Sequence, residues 1–192
     1  MMKYNILAVF LFLGCITFAQ DRQEREHRIQ KSQFPDLASD FMTLGHKMKK
    51  VRYYKEVDSS KTTYAVKFKL DRLYYHIQYN TSGNLINSGF RIKEIDIPQE
   101  TYTKIKTYIS DAFKRFKIRR IWQEYPIDNN KIKNEALKNT FQNLLLASNE
   151  YRLLVRAKKQ DKAEDYELWF DSEGDLKRIR TALPTNLDRV LY

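Results

Sequence analysis

The sequence predicts an α+β protein of two tandem units, each a helix followed by a four-stranded antiparallel sheet, with an extra helix inserted into the second unit. Three observations point there. A strand–turn–strand pattern occurs twice, from Tyr64 to Leu85 and from Tyr151 to Leu176, with eight residues from tyrosine to turn glycine in both copies (75 to 83, 166 to 174). Ahead of each copy an apolar residue precedes proline, at Phe34-Pro35 and Ile97-Pro98, and proline suits the first helical position. From that proline to the first tyrosine is 29 residues in one copy and 53 in the other, so about 24 residues are inserted in the second. Consecutive strands joined by short turns pair antiparallel, and an amphipathic helix must bury its stripe on a sheet face.

In chain order, residues 1–20 read as a signal peptide. Lys3 supplies the positive start, Ile6 to Phe18 the apolar run, and Thr17-Phe18-Ala19 the small residues before a polar Gln20-Asp21. The run is too short for a spanning helix of roughly 20 residues. A lipoprotein is the rival reading, because Leu13-Gly14-Cys15 loosely matches a lipid-attachment site, but the apolar run continues past Cys15 to Phe18. Cys15 is the single cysteine, so cleavage leaves a chain with no disulfide and no thiol chemistry. Residues 21–33 are almost all polar and read as a leader with no face to bury.

The first unit, 34–95, opens with a helix whose stripe is Leu37, Phe41, Leu44 and Met48. Strands follow over 51–57, 62–70, 73–79 and 85–92, with turns at Asp58-Ser59-Ser60, Asp71-Arg72 and Gly83. The second unit, 96–192, restarts with Tyr102, Ile105, Ile109, Ala112, Phe113 and Phe116 on one helical face, then a strand over 118–125. The insertion occupies 126–148, and within it Leu137, Phe141, Leu144 and Leu145 form one stripe, so the spacing predicts a helix over 133–147. Strands near 150–157, 165–171 and 175–181 complete the unit, and Leu183-Pro184 looks like a further helix start.

The helix starts, Tyr53-Tyr54-Lys55-Glu56, Tyr64-x-Val-x-Phe, the Asn80-Thr-Ser-Gly83-Asn turn and Asp171-Ser-Glu-Gly174-Asp together resemble the PepSY-like family, exported bacterial proteins also described as similar to β-lactamase inhibitor protein (BLIP). The resemblance covers roughly residues 34–184, and its motifs are short and structural. It implies a PepSY/BLIP-like fold and a non-enzymatic periplasmic domain that binds or restrains another protein. No catalytic residues carry over. The insertion at 126–148 departs from the pattern.

The residues themselves show little chemistry. Of His27, His46 and His76, none has a second ligand at metal-site spacing, and surface histidines are the plainer reading. Asp171 to Asp175 invites a calcium reading, but glycine is fourth where an EF-hand needs it sixth, and Asn80 to Asn84 holds the same place with no carboxylate. A turn suffices there. No Gly-x-Ser-x-Gly, phosphate loop or Ser/His/Asp grouping occurs, and Glu56, Glu94 and Glu124 read as solvated sheet charges. The expectation is no enzyme, no cofactor and no metal.

A sheet face carries the better signal. Alternation places Tyr64, Val66, Phe68, Tyr75, Ile77 and Tyr79 on the covered side and collects Arg52, Tyr54, Lys67, Lys69, Tyr74, His76 and Gln78 on the other. Tyrosines among cations suit a protein-binding surface, although long Lys and Tyr side chains are also ordinary on a wet sheet face. Arg52, Tyr54, Lys67, Lys69, Tyr74 and His76 are the partner-binding candidates. In the second unit Leu154 and Trp169 point outward, and the inserted helix is expected to cover them. The leading expectation is a non-catalytic module that grips a protein or peptide through this face. The alternative is a basic envelope protein drawn to anionic polymer or lipid headgroups, since the formal net charge is +11. A hydrolase is third. Nucleic acid is set aside because the signal peptide directs the chain out of the cytoplasm.

Overall fold

The structure is a computed structural model, and it describes residues 25–35, 47–58, 61–127, 133–159 and 162–183. Nine strands account for most of it: β1 (Arg25–Ile29), β2 (Lys49–Asp58), β3 (Lys61–Leu70), β4 (Leu73–Tyr79), β5 (Leu85–Ile92), β6 (Arg115–Pro126), β7 (Glu150–Lys159), β8 (Lys162–Asp171) and β9 (Leu176–Thr181). Two α-helices accompany them among the described residues, α1 (Gln99–Ala112) and α2 (Lys133–Gln142). The helix expected over 34–48 and the start expected at Leu183-Pro184 fall mainly outside the described residues, as does the signal peptide.

The two predicted units are not separate sheets. β5 pairs antiparallel with β6, from Asn87↔Pro126 to Ile92↔Ile121, so a single sheet runs from β1 to β9 in sequence order. The expected architecture of two helix-plus-four-strand units is therefore corrected to one mostly-β, nine-stranded antiparallel sheet. The physical reason is at the edges. Two four-stranded sheets would each present an unpaired row of N–H and C=O groups where β5 and β6 lie, and joining them satisfies both rows. The charged segment read as a leader holds β1, whose His27 and Ile29 pair with Lys55 and Tyr53 at the sheet's first edge.

Strand alternation builds the core. Val66, Phe68, Ile77, Tyr79, Phe90, Tyr151, Leu153, Leu168 and Phe170 are buried on the inner face. Both helices pack there. On α1, Ile105 and Ile109 are fully covered, Tyr108 meets Phe170 edge-on at 5.7 Å, and the capping Phe113 lies 5.0 Å from Tyr166. The two tyrosine-to-glycine hairpins end in matching turns. Asn80 Oδ1 accepts from the backbone amides of Ser82 and Asn84, and Asp171 Oδ1 accepts from those of Glu173 and Asp175. The glycines take φ of 76° and 90°, where a side chain would be strained. Gly174 also touches α1, since a Cβ there would meet Thr101 O at 2.8 Å.

The inserted helix is not where the sequence places it. α2 lies on the inner face, not over Leu154 and Trp169. Its Phe141 stacks 5.4 Å from Tyr75 and 6.3 Å from Phe68, and its buried Thr140 hydroxyl is 2.7 Å from that of Ser88. It also stops at Gln142, short of residue 147. Asn143 turns into the left-handed region at φ 54°, an αL helix end, and its Oδ1 accepts from the Tyr75 hydroxyl at 3.1 Å. Leu137 and Phe141 of the stripe fit the inner face because Phe68, Tyr75 and Phe90 offer an aromatic floor, whereas the outer face below Trp169 is charged. Leu144 and Leu145 fall past the helix end and are exposed.

Candidate functional site

The outer face is organised by ion pairs reaching across six strands. His76 on β4, Gly89 on β5 and Glu124 on β6 lie in one cross-strand row. Gly89 leaves the imidazole room to cross: a Cβ would lie 2.9 Å from His76 Cε1 and 2.4 Å from Gln123 O. His76 Nε2 therefore reaches Glu124 Oε1 at 3.0 Å. Arg152 on β7 donates from Nε to the same carboxylate at 2.5 Å and from Nη1 to Glu167 on β8 at 2.9 Å. Arg180 on β9 donates to Glu167 at 2.6 Å and to Asp58 on β2 at 2.5 Å. Asn87 Nδ2 adds a bond to Glu124 Oε2 at 3.0 Å.

The last of these pairs reveals the sheet's curvature. Seven strand spacings separate β2 from β9, roughly 33 Å on a flat sheet. Two side chains cannot span that distance, yet Arg180 and Asp58 touch. The sheet therefore curls around its outer face, with α1 and α2 on the convex side.

The cluster is dry. His76 is 3% exposed and Glu124 is 2% exposed. Burial alone would push the Glu124 carboxyl up, but the Arg152 guanidinium, His76 and the Asn87 amide outweigh it and hold the group well below the usual range. Glu167 is likewise held down, with Arg152 and Arg180 overcoming its burial. Arg152 moves the other way: burial opposes its charge, while Glu124, Glu167 and Glu56 raise it. His76 is lowered, chiefly by burial, against the pull of Glu124 and with help from the Arg152 and Lys67 charges. Its Nδ1 is buried with no hydrogen-bond partner among the described residues, so a second proton there would be left unsatisfied. The neutral ring thus donates from Nε2 to Glu124.

Aromatic rings fill the spaces between these charges. Trp122 opposes Arg91 on one side and Arg152 on the other, with the Arg152 guanidinium 4.3 Å from its ring centre. Trp169 is only 6% exposed, and what covers it is arginine: Arg178 at 3.8 Å and Arg180 at 5.2 Å. Guanidinium groups stack well on such faces because they are planar and weakly hydrated.

The network divides the outer face. At one end is a groove of about 880 Å³ and at the other a depression of about 580 Å³, with Glu56, Arg152 and Arg180 lining both. The sequence candidates sort around the larger groove. Arg52 is exposed there. Tyr54 is half-buried under Lys67, whose ammonium lies 4.5 Å from its ring centre and 2.5 Å from Glu26 Oε1. Tyr74 is 48% exposed, with Lys69 Nζ 5.6 Å from its ring centre. His76 belongs to the buried floor and offers no surface to a partner. Sequence reasoning missed Glu124, Arg152, Glu167 and Arg180 as a unit, reading Glu124 as a solvated charge. Gly89, alone in the middle of a strand, was the available signal, since such a glycine marks a close approach.

Among the described residues no group of three or more His, Cys, Asp or Glu side chains is placed to hold a metal ion, and no helix is long and apolar enough to cross a membrane. The Asp171 carboxylate is engaged by its own turn.

No family model matches the chain, and no curated protein matches its sequence. Solved structures do. A Bacteroides eggerthii chain described as "putative periplasmic proteins" is similar at a TM-score of 0.50 and 8% identity, covering 80% of this chain and 92% of that one. A DUF2874 family protein from Bacteroides ovatus matches at 0.48 and 11% identity, covering 83% and 94%. A BLIP-like protein from Bacteroides fragilis matches at 0.46 and 10% identity, covering 79% and 89%. At such identities the first of these likenesses shows a shared fold and nothing finer. The descriptions name a BLIP-like kind and do not name PepSY.

Proposed function

We propose that this chain is an exported, non-catalytic module that grips a protein or peptide through the outer face of its curled sheet. The observation that carries this reading is the groove of about 880 Å³, whose floor is braced by buried ion pairs and whose wall presents Tyr54, Tyr74, Arg52 and Trp122. A rigid floor limits the ordering cost of binding, and aromatic and arginine side chains supply most interface energy. A non-catalytic role is supported by the floor itself. His76, the group there best suited to proton transfer, is buried and engaged with Glu124. Export is supported by the Lys3 to Ala19 pattern and by the periplasmic description of the Bacteroides eggerthii structure.

The alternative, attraction to anionic polymer or headgroups, has the net charge of +11 in its favour. Salt separates the two, because charge-driven binding fades steeply with ionic strength while an aromatic interface persists. The test is capture from envelope extract by the wild type and by a Tyr54→Ala/Tyr74→Ala variant, at low and at physiological salt. A band retained at physiological salt and lost in the variant is expected. Capture that ignores the two tyrosines refutes this reading.

A further inference from the structure

We infer that the groove accepts an acidic stretch of polypeptide, a segment bearing several Asp or Glu carboxylates. The inference rests on the proposed binding function and names the chemistry of the partner. Basic side chains outnumber acidic ones nine to five in the groove lining. Most of the nine are already matched. Lys67 is held by Glu26 and Glu56, Arg152 and Arg180 by Glu124, Glu167 and Asp58, and Arg119 and Arg156 by Asp165. The remaining four are Lys50, Arg52, Arg91 and Arg120. All four are exposed, and none has an ion-pair partner among the described residues. They are the groove's cations with no carboxylate beside them among the described residues.

Their placement is as telling as their number. Arg91 on β5 directly opposes Trp122 on β6, and Arg120 stands two residues before Trp122 on the same face. Diagonal neighbours of this kind are about 7–8 Å apart, so two unmatched guanidinium forks flank one indole ring. Tyr74 lies just beyond the Tyr75↔Phe90 pair, at the level of Arg91. Arg52 stands across the groove on β2. A forked guanidinium matches a carboxylate with two parallel hydrogen bonds, and the interleaved rings suit the aliphatic parts of a peptide. Cations on both walls of a concave surface are poorly placed against a planar bilayer, which favours a chain that can enter the groove.

The test uses a fluorescein-labelled poly-glutamate peptide and fluorescence anisotropy, with the folded state of each variant checked by its melting temperature. Arg91→Gln/Arg120→Gln should weaken binding by about tenfold or more, the scale of one lost charge-assisted pair. The control Lys106→Gln/Lys114→Gln, away from the groove, should bind as the wild type does. Should the arginine variant fail to fold, Trp169→Phe decides instead: with Trp122 as the one remaining indole, the poly-glutamate peptide should quench its fluorescence and a poly-glutamine peptide should not. No binding at physiological salt, or an equal loss in the control variant, overturns the inference. Phosphatidylglycerol vesicles bound through Arg91 and Arg120 while the peptide is ignored would also overturn it. If the peptide fails but tyrosine-dependent capture persists, the acidic chemistry is wrong and the binding function stands.

Discussion

Replacing Glu124 by glutamine tests the buried network most directly. The wild-type carboxylate takes Arg152 Nε and His76 Nε2 on Oε1, at 2.5 and 3.0 Å, and Asn87 Nδ2 on Oε2 at 3.0 Å. All its neighbours donate. An amide of the same shape can keep its oxygen on Arg152 and His76 only with its NH2 toward Asn87, whose own amide must then flip to accept. It also removes the charge that offsets a guanidinium buried beside it. Breaking a buried pair in this way costs about 3–5 kcal/mol, which for a chain of this size lowers the melting temperature by roughly 6–20 °C. Urea denaturation at pH 7 measures the loss. The pH dependence gives a second readout. Glu124 is held below its ordinary value of 4.5 in the folded state, so its contribution is complete above that value and is lost as the pH falls through the folded pKa. The gap between variant and wild type should therefore be constant from pH 7 to 5 and begin to close below. A loss under about 1 kcal/mol at pH 7, the size of a surface pair, would refute the buried-network reasoning, and so would a gap that widens in acid.

Three further outcomes follow from the same geometry. The His76 pKa is lowered from 6.5 by burial, so the unfolded chain takes up a proton that the folded one refuses as the pH drops below that value. Wild-type stability should then decline from pH 7 toward 5, and His76→Gln should flatten that part of the curve in urea titrations. Gly89→Ala places a methyl 2.4 Å from Gln123 O, where backbone must move, and should destabilise by about 1–3 kcal/mol or more with a weakened His76–Glu124 contact seen by histidine NMR. Phe141→Ala removes a half-buried ring from Phe68 and Tyr75 and should cost about 1.5–3 kcal/mol by chemical denaturation. A cost near zero would place α2 off the sheet.

The features legible in the residues alone are local and periodic. Alternation places Val66, Phe68, Tyr75 and Ile77 on the covered side and Arg52, Tyr54, Lys67, Tyr74 and Trp169 on the other, because side chains along a strand alternate with period two wherever the strand pairs. Gly83 and Gly174 were legible as turns because the positive-φ position after a tight hairpin excludes most other residues. The stripe Ile105–Ile109 announced α1 for the same kind of reason. The rest depends on which distant segments meet. Nothing in β5 or β6 states that Ile92 will lie beside Ile121, since pairing partners are chosen by the whole set of edges that need covering. Nor does the stripe on α2 say which apolar surface will receive it. The outer-face cluster is the extreme case: Asp58 and Arg180 are 122 residues apart. They read as ordinary surface charges until a curled sheet brings them together.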